Sequence, residues 1–355
     1  MIAYYLFFAC QGVVLGGARL LKIKNNMVVL FVLVLSGVLF AGLRGNTGTD
    51  TFMYRTLCVD SWAGRDTSNY EPAFRWLAIA LGPLFGQRTQ GFIFTIALIQ
   101  GVLLLKILRL LRERDLYYAI FTSSFYINLV FNQIRVGVAL LLISYAFLLS
   151  IRKRHRIATA VTAMLALLTQ ITVAPLAILF IRRRPWLLIG FTLVAVLSIP
   201  FVAAKFNGAM SSPDSVIDGY HVGIGLVLTI SLIATAILME PMEFRSKALL
   251  MVLFGGYALF GLMAVKWLLA SRVALIFEGG LYVLLLIEKR TLRLRAVMLI
   301  IAAYHVYGSL TLVRKSDDAM QELIANNPGF TGGYQKTAWV PYKLFWKDES
   351  VDNDD

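Results

Sequence analysis

Charged residues are scarce in this chain of 355 residues. Lys, Arg, Asp and Glu together make up 15 % of the sequence, whereas a soluble globular domain carries about 25 %. Apolar residues make up 59 %, and the mean hydropathy is +0.73. This composition excludes a soluble enzyme and predicts an all-α polytopic integral membrane protein, because apolar runs of spanning length recur along the chain.

Cysteines and clustered metal ligands are also scarce. The two cysteines, Cys10 and Cys58, lie in an apolar run and in a polar loop, and no CxxC motif is present. The three histidines are far apart, and the sequence contains neither a Walker A loop nor a GxSxG motif. A transition-metal site, ATP hydrolysis and a serine nucleophile therefore lack support, and we expect no cofactor and no dedicated metal site. One or two carboxylates could still hold a divalent ion weakly.

Apolar runs recur from the first residues to about residue 313. Ten of them predict crossings, at 2–20, 27–43, 91–108, 116–131, 136–151, 186–203, 222–239, 248–265, 273–287 and 296–313. Two further stretches are interrupted, 73–86 by Gly82 and 157–181 by Gln170. We therefore expect about ten transmembrane helices and two re-entrant or interfacial segments.

The excess of positive charge, +14 at pH 7, lies in short clusters between the apolar runs. This arrangement indicates membrane topology rather than nucleic-acid binding, because Lys and Arg collect on the cytoplasmic side of a membrane. The clusters all fall on that side only if the two interrupted segments do not cross. Both termini are then extracytoplasmic, and the first span is retained, because it lacks a basic region and a cleavage site.

The resulting prediction is a single transmembrane domain over residues 1–313, with outer loops at 44–72 and 204–221 and an extracytoplasmic tail over 314–355. The outer face is the candidate working face, because loops there need not satisfy hydrogen bonds inside lipid.

The first outer loop combines a cation, a flexible turn and carboxylates. Arg44 offers a planar fork to phosphate oxygens, and the glycines that follow let backbone N–H groups approach an anion. Asp50 and Glu71 are the candidate proton acceptors of the loop. The alternative is an ordinary capped turn with surface ion pairs, because Gly-Thr-Asp motifs commonly start helices.

Two arginines, Arg135 and Arg272, open apolar spans at the outer face. Their position indicates an anionic guest, and snorkelling to lipid phosphates is the alternative. Glu278 lies within the span that Arg272 opens. It is either a buried partner for an arginine or a general base.

Five separated motifs resemble those of the EpsG-like, Wzy-type polymerases of bacterial surface polysaccharides, such as O-antigen and exopolysaccharide. They are Leu43-Arg44…Gly48-Thr49-Asp50…Tyr54, Tyr70-Glu71-Pro72, Gln133-x-Arg135, Arg272 with Glu278 six residues later, and Pro341-Tyr342-Lys343. The match extends over nearly the whole chain. Two positions depart from the family pattern, because Val136 stands where Gln is frequent and Gln170 where His is frequent.

The resemblance implies a polysaccharide polymerase of glycosyltransferase C-like architecture. Such an enzyme joins lipid-linked oligosaccharide repeat units on the outer leaflet of the cytoplasmic (inner) membrane, without a metal, and undecaprenyl or another polyprenyl diphosphate leaves with inversion of the anomeric carbon. The implied catalytic residues are Asp50, Glu71, Arg135 and Arg272, and the implied substrate-binding residues are Arg44, Tyr54, Gln133, Gln170, Glu278, Tyr342 and Lys343. Because position 170 is not a histidine, Asp50 or Glu71 is the expected general base.

Two other functions stay open. A flippase for lipid-linked sugars would also need a cationic path for diphosphate, but it would be expected to carry an internal repeat, and none is evident. A non-catalytic component of a polysaccharide export complex would tolerate substitution of the outer arginines. The expected partners are the lipid bilayer and a polyprenyl-diphosphate-linked oligosaccharide, with a flippase and a chain-length regulator as further protein candidates.

Overall fold

The computed structural model describes residues 2–23, 25–44, 51–67, 70–85, 88–152, 156–180, 224–239, 244–263, 268–287 and 291–326. Within these ranges nearly every residue is helical, and no strand forms. The all-helical fold predicted from hydropathy is therefore confirmed. Several of the helices are apolar along most of their length, which indicates a multi-pass membrane protein.

The N-terminal helices follow the apolar pattern closely. They are α1 (Ile2–Leu20), α2 (Met27–Gly42), α3 (Thr51–Trp62), α4 (Pro72–Leu81) and α5 (Thr89–Leu110). Asn26 caps the start of α2, and its side chain accepts a hydrogen bond from the Val28 N–H at 2.8 Å, as N-cap residues do. Helix α4 begins with Pro72, which suits a first turn because its missing N–H is not needed there. Helix α3 forms inside the predicted first outer loop.

The predicted span 116–131 is not one regular helix. Helix α6 (Arg114–Ile120) leads into a π-helix over Phe121–Asn132, and α7 (Ile134–Ile151) follows. The wider turn is visible where the Gln133 N–H donates to the Asn128 carbonyl, five residues back, at 2.8 Å. Hydropathy does not distinguish a π-helix from an α-helix, because most of the run is apolar and buried.

Both interrupted segments are broken where the sequence places the interruption. Helix α4 stops at Leu81, and a single 3₁₀ turn (Pro83–Phe85) follows Gly82. Helix α8 (Arg156–Thr169) ends before Gln170, and a 3₁₀ helix (Ile171–Phe180) continues the segment.

The remaining described helices are α9 (Ile224–Met239), α10 (Phe244–Met263), α11 (Leu268–Leu286) and α12 (Leu292–Asn326). The predicted span 186–203 lies outside the described residues. Helix α12 continues to Asn326, past residue 313 where the apolar run ends. Among the described residues, four segments are long and apolar enough to cross a membrane: Ile2–Leu20, Thr89–Leu110, Ile134–Ile151 and Leu292–Thr311.

The chain divides into two compact units, of which the first contains the described residues of Met1–Arg109, Tyr118–Gly137 and Ala302–Asp355. Aromatic rings join α1, α2 and the π-helix in its core. Phe7 stacks on Phe40 with ring centroids 4.5 Å apart and on Tyr126 at 4.7 Å. Such pairs contribute about 0.5–1.5 kcal/mol each beyond the area that they bury.

The second unit contains the described residues of Leu110–Tyr117 and Val138–Ile301. Helices α10 and α11 pack closely in it, and a Cβ atom built on Gly256 would lie 2.5 Å from the Phe277 ring. An ion pair joins Arg295 at the start of α12 to Glu113, with 2.5 Å between the guanidinium and the carboxylate.

Candidate functional site

An ion pair between Glu71 and Arg135 lies at the centre of the candidate site, in the first unit. Glu71 is the residue before α4, has an extended backbone and does not cap that helix with its side chain. Arg135 is the second residue of α7, and its Nη1 donates to Glu71 Oε2. The two side chains are 5 % and 7 % exposed. Residues 64 positions apart, both predicted from the sequence, are thus in direct contact.

Two tyrosines flank the Arg135 guanidinium. Its carbon Cζ lies 5.6 Å from the centre of the Tyr54 ring and 6.0 Å from that of Tyr70, within the range of cation–π attraction. The Tyr70 hydroxyl donates to the Met53 carbonyl at 3.2 Å, which holds this residue against the start of α3. Burial raises the pKa of the Tyr70 phenol, although the Arg135 charge opposes that rise, so Tyr70 is neutral at physiological pH.

A second buried arginine, Arg55, joins α3 to α5. Its guanidinium donates to Thr89 Oγ1 and to Gln90 Oε1, each at 3.0 Å, and Gln90 Nε2 donates to the Gly42 carbonyl at 2.6 Å. Nearby Cys58 is buried, and this burial raises the pKa of its thiol far above the usual range, so Cys58 stays a neutral thiol. Arg55 is not among the site residues predicted from the sequence. The sequence does place Arg55 in the polar loop and the dipeptide Thr89-Gln90 directly before the next predicted span. This pattern was the signal that could have indicated the contact.

Arg44 follows α2 and contacts the π-helix. Its Nη1 donates to the Val130 carbonyl at 3.1 Å, and its Cζ lies 4.5 Å from the centre of the Phe131 ring. The side chain is 1 % exposed. Gln133, two residues before Arg135, has a buried side-chain oxygen with no hydrogen-bond partner among the described residues.

Two of the predicted site residues lie in the second unit, and the structure describes their side chains. Glu278, in α11, is buried and accepts a hydrogen bond from the Tyr282 hydroxyl at 2.8 Å. Gln170 is buried at the break after α8, and its side-chain oxygen has no partner in the part of the chain that the structure describes. Arg272 belongs to α11, and the structure describes its backbone but not its side chain. Asp50, Tyr342 and Lys343 also lie outside the described residues.

The structure therefore brings together Tyr54, Glu71 and Arg135, with Tyr70 beside them. Over the residues described, no group of three His, Cys, Asp or Glu side chains has an arrangement suited to a metal ion. The arrangement offers a cation, a carboxylate in contact with it, and aromatic rings. Chemically, it can bind an anionic group and accept a proton.

The fold defines a helical membrane protein that crosses the bilayer more than once. The chain belongs to the EpsG family, whose model matches residues 27–324. This is a family of polysaccharide polymerase-like membrane proteins, so the resemblance seen in the motifs is confirmed. Membership indicates a membrane protein of polysaccharide biosynthesis. The search of curated proteins finds no match to the chain, and the search of solved structures finds none.

Proposed function

We propose that the protein is a glycosyltransferase that joins polyprenyl-diphosphate-linked oligosaccharide repeat units into a longer polysaccharide. In this proposal it crosses the cytoplasmic membrane ten times with both termini outside, in a glycosyltransferase C-like architecture, and acts on the outer leaflet. The buried Glu71–Arg135 pair between Tyr54 and Tyr70 carries the proposal.

A buried ion pair is expensive, because both charges lose their hydration. Two well-packed apolar residues would stabilise the fold as well or better. Charged groups inside membrane proteins are more often found where an ion or a charged substrate must bind. The pair therefore favours a functional role for Arg135 over a structural one.

The contact between the two side chains supports an exchange of partners. The diphosphate of a lipid-linked glycan competes with Glu71 for the planar guanidinium, which matches phosphate oxygens in two-point hydrogen bonding. Once Arg135 binds the diphosphate, Glu71 is released. The released carboxylate then faces the acceptor sugar as a general base.

The proposed glycosyl transfer is a single nucleophilic displacement. A hydroxyl oxygen of the acceptor sugar attacks the anomeric carbon of the donor glycan, and the bond from that carbon to the diphosphate oxygen breaks. Glu71 takes the hydroxyl proton, and the electron pair leaves with the polyprenyl diphosphate, whose growing charge Arg135 stabilises. Attack opposite the leaving group inverts the anomeric carbon.

The other residues implied by the resemblance keep their proposed roles. Asp50 is the alternative base, and Arg272 is the second cation for the diphosphate. Tyr70 is only partly buried and offers its ring to a sugar. The remaining proposed contacts to the substrate are Arg44, Tyr54, Gln133, Gln170, Glu278, Tyr342 and Lys343.

The experiment uses purified protein in nanodiscs with a defined polyprenyl-diphosphate repeat unit and no ATP, and separates the glycan products by length. Wild-type protein is expected to produce a ladder, and Arg135→Ala is expected to produce none in the time that the wild type needs to form it. Arg295→Ala is the matched control, because this arginine also pairs with a glutamate but lies in the other unit. No ladder from wild-type protein, together with movement of the lipid-linked unit between leaflets of sealed vesicles, would favour a flippase.

A further inference from the structure

We infer that Gln100 is a positioning residue that aims Arg135 at the diphosphate through the junction between the π-helix and α7. The inference rests on the proposed function, in which Arg135 binds the leaving group. Gln100 lies in α5 and does not belong to any of the motifs that mark the family resemblance.

The hydrogen-bond pattern of the backbone changes at Gln133. Its N–H donates five residues back, to the Asn128 carbonyl at 2.8 Å, whereas the Gly137 N–H donates four residues back, to the Gln133 carbonyl at 3.0 Å. The last carbonyls of the π-helix have no donor within that helix, so they require donors from elsewhere. Arg135 lies two residues past the change and takes its direction from it.

Gln100 supplies the donor on both sides of this junction. Its Nε2 lies 3.2 Å from the Leu129 carbonyl oxygen of the π-helix and 3.2 Å from the Ile134 carbonyl oxygen of α7. Two acceptors at one end of the amide fix which end carries the nitrogen. The side chain is buried, so water does not replace these bonds at low cost.

Close packing leaves the junction little freedom. A Cβ atom on Gly137 would lie 2.5 Å from the Leu129 carbonyl oxygen and 2.6 Å from Gln100 Nε2. Only glycine lets α7 approach this closely. The adjacent Val130 carbonyl accepts from Arg44 at 3.1 Å, so side chains from two other segments hold neighbouring carbonyls of the π-helix.

The consequence concerns the direction of the Arg135 guanidinium. Its two-point bonding to a diphosphate depends on the orientation of a rigid fork, and misplacement by about 1 Å can cost about 100-fold in rate. Gln100 makes no described contact with Arg135 itself. Its effect passes through the backbone on either side of Gln133.

The test compares Gln100→Met with Gln11→Met, a matched variant. Gln11 is also a buried glutamine of the first unit that donates to neighbouring groups, namely Ser36 Oγ at 2.7 Å and the Leu33 carbonyl at 3.4 Å. For wild type and both variants, the affinity for inorganic pyrophosphate, the thermal midpoint without ligand and a cryo-electron microscopy structure in nanodiscs are measured. Arg135→Ala is included in the affinity measurement.

We expect Gln100→Met to weaken pyrophosphate binding about tenfold, and Gln11→Met to leave it within about twofold, at similar losses of thermal midpoint. The Arg135 side chain in Gln100→Met should leave Glu71. Equal affinities in the two variants, with the Arg135–Glu71 contact intact, would overturn the positioning role. If Arg135→Ala binds pyrophosphate like wild type, the proposed function fails instead. The positioning role is then decided by whether the structure of Gln100→Met keeps or loses the contact between Arg135 and Glu71.

Discussion

Two arginine–glutamate pairs, one in each unit, differ in their surroundings. In the Arg135–Glu71 pair both side chains are buried, at 7 % and 5 % exposure, and two tyrosine rings flank the guanidinium. In the Arg295–Glu113 pair the glutamate side chain is 9 % exposed, but the arginine side chain is 33 % exposed. Solvent can screen the charge of Arg295. In the buried pair, Arg135 can leave Glu71 only if another anion takes the place of the carboxylate.

Under the proposed function, this difference separates a structural pair from a reactive one. Arg295 lies at the start of a helix in a cluster of basic residues that the sequence assigns to the cytoplasmic side. Arg135 lies at the start of α7, in contact with residues of the predicted first outer loop. We therefore expect substitutions of Arg135 to change activity and those of Arg295 to leave it nearly unchanged.

The largest expected effect is on elongation. Arg135→Ala should lower the rate of glycan elongation by about 100-fold to 1,000-fold, because it removes a preorganised cation from the leaving group. Arg295→Ala should remain within about threefold of wild type, as expected for a partly exposed pair. The rates are measured from ladder formation at equal protein levels, and equal losses in the two variants would erase the distinction between the pairs.

The next effect is on stability. Arg135→Met leaves the Glu71 carboxylate buried without this partner and should lower the free energy of unfolding by about 3–5 kcal/mol. Arg295→Met should cost less, about 1–2 kcal/mol, because water reaches the arginine end of the pair, while the Glu113 carboxylate that it leaves is largely buried. Adding Glu71→Gln to Arg135→Met should recover much of the loss, since no buried charge is left there. Reversible unfolding in mixed detergent micelles measures all three, and no recovery in the double variant would contradict the ion-pair explanation.

A smaller effect is expected when the backbone near Arg135 is displaced without touching the pair. Gly137→Ala introduces a Cβ atom 2.5 Å from the Leu129 carbonyl and should cost about 1–3 kcal/mol, with slower elongation. Gly255→Ala is the control, because nothing lies within 4 Å of a Cβ atom there, and it should be neutral or slightly stabilising. Thermal unfolding and the elongation assay measure both variants. Equal behaviour of the two would mean that the junction tolerates a side chain.

The smallest effect is expected at a third ion pair, Arg65–Asp60, whose arginine is 68 % exposed. Arg65→Ala should change the free energy of unfolding by about 0–0.5 kcal/mol, and less at high salt, because exposed pairs are screened. The same unfolding assay at two salt concentrations checks this. A loss of unfolding free energy as large as that of Arg135→Met would show that the exposure of an ion pair does not determine its contribution to stability.

Hydropathy predicted much of the fold, because the bilayer dictates the length of apolar helices. The run 2–20 coincides with α1, and the interruption at Gln170 falls where α8 gives way to a 3₁₀ helix. The end of α12 at Asn326 was not predicted, since an apolar run ends where the membrane ends and a helix continues into water. The π-helix at Phe121–Asn132 was not predicted either, because donors such as Gln100 and Arg44 come from distant segments.

Part of the candidate site was predictable, because charged residues beside apolar runs are unusual in a membrane protein. Glu71 and Arg135 are charges beside apolar runs, so the sequence marked both, and the structure adds that they contact each other. Gln100 was missed because one glutamine in an apolar helix resembles an ordinary buried amide. Its role depends on the two carbonyls that it contacts, and the local pattern does not reveal which carbonyls these are.

The exchange of Glu71 for diphosphate at Arg135 is tested most directly by the pyrophosphate affinity of Glu71→Gln relative to wild type. We expect Glu71→Gln to bind pyrophosphate about tenfold more tightly, equivalent to about 1.4 kcal/mol, because the neutral amide competes less strongly for the guanidinium. The same variant should form no glycan ladder if Glu71 is the base. Affinity equal to or weaker than that of wild type would contradict the exchange.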